Sequence, residues 1–163
     1  MNWIRIIEKI LDILKSFEST DEKGEEKKLK HLEFIQATIV RMGANSFLIK
    51  NWCITLITSL TTAVLVLGDD DIIKTQIVFI LIIPVILFWV LDGYFLSQER
   101  KFRKLYSKIS KTQPAQINFS MNTSEFDGTK ENWFFSMLSI TKLLFYIPII
   151  TILLLILYIL QYV

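Results

Sequence analysis

The stretch KNWCITLITSLTTAVLVL, residues 50–67, decides the fold, because it is long and apolar enough to cross a bilayer as one helix. It also carries a polar stripe: Asn51, Thr55, Thr58 and Thr62 recur at spacings of four, three and four residues, on one side of a helix. A helix that faces only lipid would expose these polar groups to hydrocarbon. The sequence therefore predicts that a second helix, another copy of the chain or water lies on this side.

Two later stretches, residues 72–91 and 143–160, are also long and apolar enough to span. Residues 68–71, GDDD, form the predicted turn between the first two spans, and Pro84 and Pro148 lie inside the second and third spans. Two interpretations of Pro84 stand, a simple kink and a gating hinge. The sequence predicts an all-α integral membrane protein with about three transmembrane helices, two of them extended into cytoplasmic amphipathic helices.

The distribution of charge supports this class. Of the 163 residues, 52% are hydrophobic, and the charges are concentrated in residues 5–30 and 98–111, which is typical of a membrane protein. A net charge of +2 is too small to indicate a nucleic-acid partner. The single cysteine, Cys53, excludes a disulfide within the chain. Charged residues interrupt the apolar segment near the N-terminus, so we do not expect a secretory signal.

The residues before the first span divide into helix, linker and helix. Residues 1–17 are predicted to form an amphipathic helix, and residues 18–28 a charged, solvated hinge that contains Gly24. Mixed charges on the polar face of the helix favour packing against another helix, with a position in the membrane interface as the alternative. Its apolar residues keep a heptad spacing at Trp3, Ile7, Ile10, Leu14 and Phe17.

Residues 29–111 are predicted to form a transmembrane hairpin with cytoplasmic extensions. The second helix is expected to run straight into the first span, and apolar seams within residues 32–42 and 95–109 are expected to pack as an antiparallel stalk. His31 has no cysteine or acidic partner at ligand spacing, so we expect a surface histidine and no metal site.

The remaining residues are predicted to form a loop and the third span. Residues 112–128 are a polar cytoplasmic loop, with a weak strand signal at residues 117–122. Residues 129–163 comprise an interfacial lead-in, with Thr129 as the predicted helix cap, and the third transmembrane helix.

The charge of the loops predicts the orientation. Lysine and arginine favour the cytoplasmic side, and the turn at residues 68–71 carries three aspartates. We therefore expect an inner-membrane protein whose N-terminus is cytoplasmic. Its basic helical face is also expected to contact anionic lipid headgroups, through Arg100, Lys101, Arg103, Lys104 and Lys108.

The sequence shows no catalytic set, glycine-rich phosphate loop or metal-ligand spacing, so we expect neither an enzyme nor a cofactor. Polar groups at membrane depth are more informative. Counted along the spans from the turn, Lys50 and Asp92 reach the same depth, and Lys142 lies at the same edge of the third span. We predict an inner polar layer in which Asp92 pairs with Lys50 or Lys142; the alternative is that all three only reach headgroup water.

The polar stripe also has two interpretations. Small hydroxyl residues let membrane helices approach closely and hydrogen-bond across their interface, which makes the stripe a packing surface. Alternatively, several copies of the chain place their stripes around a common axis and line a path for water and ions. Three spans cannot enclose such a path alone, so the second interpretation requires an oligomer.

Two motifs carry a resemblance. The pattern RM-x-x-NSF-x-x-K-x-W begins at Arg41, and FW-x-LD-x-YFL begins at Phe88. Over residues 32–106 the chain resembles a group of small uncharacterised bacterial multi-span membrane proteins, from which no functional residue is carried over. In size and layout it is loosely similar to membrane effectors that accompany sensors in bacterial antiviral defence. The resemblance implies a role as an effector in antiviral defence.

The polar stripe, the two mid-span prolines and the basic stalk together predict an oligomeric bacterial inner-membrane protein. We expect it to be a membrane-permeabilising or signalling effector that is controlled through its cytoplasmic helices. Its expected partners are the lipid bilayer, other copies of the chain and a cytoplasmic protein. The alternative is a passive anchor or assembly subunit that recruits a cytoplasmic partner, in which case the stripe is only a packing surface.

Overall fold

The computed structural model describes residues 3–68, 70–128 and 131–162, with the side chains of all but residues 4, 16–20 and 71. Helices make up 89% of the described residues, which form no strand, and this confirms the predicted all-α class. Three helices are long and apolar enough to cross a membrane. In chain order the α-helices are α1 (Trp3–Leu67), α2 (Asp71–Ile80), α3 (Ile82–Lys111), α4 (Trp133–Met137) and α5 (Ile140–Tyr162).

Helix α1 is one continuous helix of 65 residues, about 97 Å long. The hinge predicted at residues 18–28 is therefore wrong, whereas the expected run of helix into the first span is confirmed. The glutamates and lysines of that segment are good helix formers, and only Gly24 disfavours helix, by about 1 kcal/mol. The backbone at Gly24 packs closely against the chain that follows α3, since a Cβ atom there would lie 3.0 Å from Cβ of Pro114.

The predicted stalk is present outside the spans. Ile35 and Ile39 of α1 bury their side chains against Leu105 and Ile109 of α3. His31 belongs to the same region and is fully buried, so the expected surface position is wrong. The ring of Phe119 covers it from the loop, with ring centres 5.3 Å apart. Neither ring nitrogen of His31 has a hydrogen-bond partner among the described residues.

The two span prolines act differently. The second span is interrupted at Leu81, between α2 and α3, three residues before Pro84. Proline has no N–H for the carbonyl of the preceding turn, which accounts for the interruption of the helix at this point. Pro148 lies inside α5, which continues past it without a break.

The chain between α3 and α5 folds without the predicted strand. Residues 117–122 are extended or irregular, and short 3₁₀ turns flank them at Pro114–Gln116 and Ser124–Phe126. Alternation of apolar and polar residues failed as a signal here because no partner strand exists among the described residues. The predicted cap Thr129 lies outside the described residues; the carboxamide oxygen of Asn132 accepts the 3.0 Å hydrogen bond that caps α4.

The apolar core of the membrane part lies where all three spans meet. Its buried members come from α1, α2, α3 and α5, so each span contributes to one core: Cys53, Ile57, Val78, Leu81, Val85, Tyr146 and Leu153. This packing fixes which side of each span faces inward.

Candidate functional site

Five polar side chains from three helices meet at the end of the spans farthest from the connection between α1 and α2. Ser46 and Lys50 belong to α1, Asp92 belongs to α3, and Lys142 and Tyr146 belong to α5. We call these five residues the polar cluster. It joins the three spans at one depth.

The carboxylate of Asp92 is the centre of the polar cluster. Its Oδ1 atom lies 2.5 Å from Nζ of Lys142 and accepts a hydrogen bond of 2.5 Å from Oγ of Ser46. Its Oδ2 atom lies 2.9 Å from Nζ of Lys50 and accepts a hydrogen bond of 3.3 Å from the hydroxyl of Tyr146. Four side chains therefore share one carboxylate.

The hydroxyl of Ser46 connects both ammonium groups to this carboxylate. Lys50 donates to Ser46 Oγ over 2.9 Å, and Lys142 donates to it over 2.8 Å. Since the same hydroxyl donates to Asp92, its one donor and two acceptor sites are all used. Ser46 thereby positions each ammonium group relative to the carboxylate.

The charges of the polar cluster are not fully balanced. Two ammonium groups face one carboxylate, so the formal charge is +1. Asp92 is completely buried and the side chain of Lys142 is 3% exposed, whereas that of Lys50 is 23% exposed. An uncompensated buried charge costs several kcal/mol. The excess positive charge therefore belongs to Lys50, which reaches the surface.

Helical spacing brings these side chains to one point. Ser46 and Lys50 are four residues apart on α1, and Lys142 and Tyr146 are four residues apart on α5, so each pair lies on one face of its helix. The spacing also shows how Ser46 and Tyr146, which the sequence reasoning missed, could have been found. Both lie one helical turn from a lysine that was singled out.

Helix α4 packs against α3 beside the polar cluster. The indole nitrogen of Trp89 donates a hydrogen bond of 2.9 Å to the carbonyl of Met137, and the ring of Trp89 stacks on Tyr146 with centres 5.8 Å apart. Gly93, next to Asp92, lets α4 approach, because a Cβ atom there would overlap Met137. The contacts place α4, and with it the start of α5, so that Lys142 faces Asp92.

The polar stripe faces the opposite way. All four stripe residues are exposed. Around the axis of α1 the centre of the stripe lies about 140° from the face that carries Ser46, Lys50 and the core residues Cys53 and Ile57. No described helix of the same chain covers the stripe, which removes one of the three predicted neighbours and leaves another copy or water.

One stripe hydroxyl has a partner on its own helix. Thr58 donates to the backbone carbonyl of Ile54, one turn back. Thr151 on α5 makes the same kind of bond to Ile147, over 2.9 Å, at an exposed position outside the stripe. A lone exposed threonine can therefore satisfy its hydroxyl within a span. The expectation of a neighbour therefore depends on the spacing of the stripe and not on any single threonine.

The basic face of α3 is occupied by acidic residues and the loop. Lys104 lies 2.8 Å from Glu131, Lys108 lies 2.7 Å from Glu125, and Lys101 pairs with Asp127. Arg103 pairs with Glu99 of its own helix over 2.7 Å, and Arg100 donates to the hydroxyl of Ser136 over 3.3 Å. Lipid headgroups would have to compete with these pairs, so contact with the membrane surface stays a prediction.

Glu131 is the one loop carboxylate that is nearly buried, at 7% exposure. The hydrogen bond from Lys104 holds the pKa of its carboxyl below the ordinary value, against the opposing effect of burial. Its backbone carbonyl also accepts a hydrogen bond from the hydroxyl of Ser97. Glu131 therefore attaches the end of the loop to α3, directly before α4.

Among the described residues, no group of three or more histidine, cysteine, aspartate or glutamate side chains could hold a metal ion. No family model, no curated protein and no solved structure matches the chain. The polar cluster, the stripe and the stalk are therefore the features that bear on function.

Proposed function

We propose that the protein is an oligomeric bacterial inner-membrane effector whose copies place their polar stripes around a common axis and alter membrane permeability. The observation that carries the proposal is the exposure of Asn51, Thr55, Thr58 and Thr62 on the outside of a chain that pairs Lys50 and Lys142 internally with Asp92. Polar groups at membrane depth usually mark an interface or a water-filled path.

The polar cluster supports this role by fixing the rotation of α1. Because Asp92 holds Ser46 and Lys50 on the inner face, the stripe can only face outward. From Asn51 to Thr62 the stripe covers 12 residues of α1, whose first and last Cα atoms lie about 17 Å apart along the helix. A stripe of this length, repeated by symmetry, gives a polar path through roughly half of the ~30 Å hydrocarbon core.

The orientation of this effector rests on charge. The basic residues of α3 and the acidic turn favour a cytoplasmic N-terminus, which places the stalk and the loop inside the cell. There the stalk can receive a cytoplasmic partner, whose binding would act on the spans through α1 and α3. The proposed role in antiviral defence rests only on the resemblance in size and layout to membrane effectors of such systems.

A passive membrane anchor is the second candidate, and one observation favours it. The Thr58 hydroxyl already bonds to Ile54 of its own helix, so it needs no water. In that case the stripe is a surface on which copies or a membrane partner pack, and the cytoplasmic stalk recruits the partner. The two candidates predict different results for the same substitution.

The test is efflux of ions and a small dye from liposomes that contain the purified protein, with its mass measured in detergent. Thr58→Leu is compared with Thr151→Leu, because both threonines are exposed and bond to their own helix. The proposal expects a defined oligomer that releases dye, a large loss of efflux in Thr58→Leu with the mass unchanged, and normal efflux in Thr151→Leu. Loss of assembly in Thr58→Leu, or an oligomer that never releases ions or dye, supports the anchor.

A further inference from the structure

The N-terminal segment of α1, residues 3–15, has a broad apolar face that is left exposed. Seven large apolar side chains are each at least 47% exposed: Trp3, Ile6, Ile7, Ile10, Leu11, Ile13 and Leu14. At 3.6 residues per turn they occupy an arc of about 160°. Exposed apolar surface of this extent marks an interaction site.

The segment lies beyond the packing of the chain on itself. The contact between Gly24 and Pro114 lies near the far end of the stalk, and residues 3–15 lie further along α1. About 54 Å of helix separates Leu14 from Lys50, and about 70 Å separates Trp3 from Lys50. Since α1 is unbroken from Trp3 to Leu67, the segment projects along the axis of the first span instead of returning to the membrane.

The charges around the apolar face also argue against a lipid partner. Surface-lying helices are rich in lysine and arginine on the polar face. Here Arg5, Lys9 and Lys15 alternate with Glu8 and Asp12, so the face has mixed sign. The segment is suited to a protein partner.

The same charges are complementary between copies. Glu8 lies beside one edge of the apolar face, with Lys15 two turns further along the same edge, and Arg5 and Lys9 lie beside the other edge at nearly the same height as Glu8. When two parallel helices meet edge to edge in register, Glu8 of one faces the basic edge of the next. The heptad spacing of Trp3, Ile7, Ile10 and Leu14 supplies the apolar seam for the same arrangement.

We infer that residues 3–15 bind the same segment of other copies of this chain, as a parallel helical bundle at the end of the stalk. Copies anchored in one membrane share one orientation, so identical apolar faces meet at the same height and in register. A breadth of about 160° exceeds a two-helix seam and favours more than two helices. The inference rests on the oligomer in the proposed function and identifies a contact that holds it together outside the membrane.

The test uses the full chain in native membranes with single introduced cysteines. Ile10→Cys lies near the centre of the apolar face, and Asp12→Cys lies on the opposite side of the same turn. The unmodified chain, whose single cysteine is the buried Cys53, is the background control. We expect brief oxidation to join most of the Ile10→Cys chains into dimers on a denaturing gel, at least fivefold more than for Asp12→Cys. Adding Ile7→Asp to Ile10→Cys should remove the dimers.

Equal crosslinking at the two positions, or none at Ile10→Cys, would overturn the inference. Binding of the segment to the membrane would be detected separately, with an environment-sensitive dye attached to Ile10→Cys. If the dye reports a lipid environment even when the protein is dilute in the bilayer, the inference is overturned. The efflux assay stays independent. Crosslinking without efflux retains the inference and contradicts the proposed function. Efflux without crosslinking contradicts the inference and retains the proposed function.

Discussion

Replacing Asp92 by asparagine should destabilise the protein more than any other single change of charge. The substitution leaves the shape of the side chain almost unchanged but removes the carboxylate from two ammonium groups, of which that of Lys142 is 3% exposed. Removing one partner of a buried ion pair typically costs about 3–5 kcal/mol. The folding equilibrium should therefore shift by about 100- to 4,000-fold. Lys50 adds little, because it already reaches the surface.

The assay is reversible unfolding of the purified protein in mixed micelles, followed by circular dichroism as the denaturing detergent is increased. Asp92→Asn is compared with Asp127→Asn, which removes the exposed carboxylate that pairs with Lys101 and should cost about 1 kcal/mol or less. The double variant Asp92→Asn with Lys142→Met removes both buried charges and keeps an apolar side chain in the space. It should recover at least about 2 kcal/mol relative to Asp92→Asn alone.

Two results would refute this reasoning. A cost of less than about 1 kcal/mol for Asp92→Asn would mean that Lys142 finds water, so that the buried pair does not hold the spans together. Simple additivity of the two substitutions in the double variant would mean that the carboxylate and the ammonium group are not coupled. Either result would also remove the reason for the fixed rotation of α1.

Two further predictions follow from the contacts of α4 and the loop. Gly93→Ala should cost about 1–3 kcal/mol because the new Cβ overlaps Met137, whereas the control Gly43→Ala, whose nearest neighbour would lie 3.9 Å away, should be neutral or stabilising; the same unfolding assay measures both. The pKa of Glu131 is lowered in the folded protein by Lys104, so its contribution to stability is complete above the ordinary glutamate pKa and is lost as the pH falls through the lower folded value. Glu131→Gln should therefore flatten the dependence of stability on pH in this acidic range, and an unchanged dependence would contradict the assignment.

The periodicity of the sequence was sufficient to predict the spans and the stalk. Apolar stretches of this length form few structures other than membrane helices, and the seams at residues 32–42 and 95–109 pack as the heptad spacing predicts. The depth of a residue along a helix is equally simple to predict, because the rise per residue is constant. This is why counting from the turn placed Lys50 and Asp92 at one level, and the inner edge of the third span added Lys142; the structure brings both lysines into contact with Asp92.

Features that depend on contacts between distant segments were harder to predict. Gly24 and the surrounding charges look like a hinge, yet the glycine is where α1 packs against Pro114. His31 was expected at the surface, because nothing local indicates that the loop after α3 covers it with Phe119. Likewise, the basic face of α3 was expected to contact lipid, and its pairing with loop carboxylates depends on how the loop folds back.

The proposed water-filled path between copies of the chain, lined by the stripe on α1, can be tested directly. Currents are recorded across a planar bilayer while a charged, membrane-impermeant thiol reagent is added to the Thr58→Cys and Thr151→Cys variants. We predict that the reagent changes the current of Thr58→Cys by several-fold within minutes and leaves that of Thr151→Cys unchanged. Equal responses from the two variants, or no response from Thr58→Cys in a conducting protein, would contradict the claim.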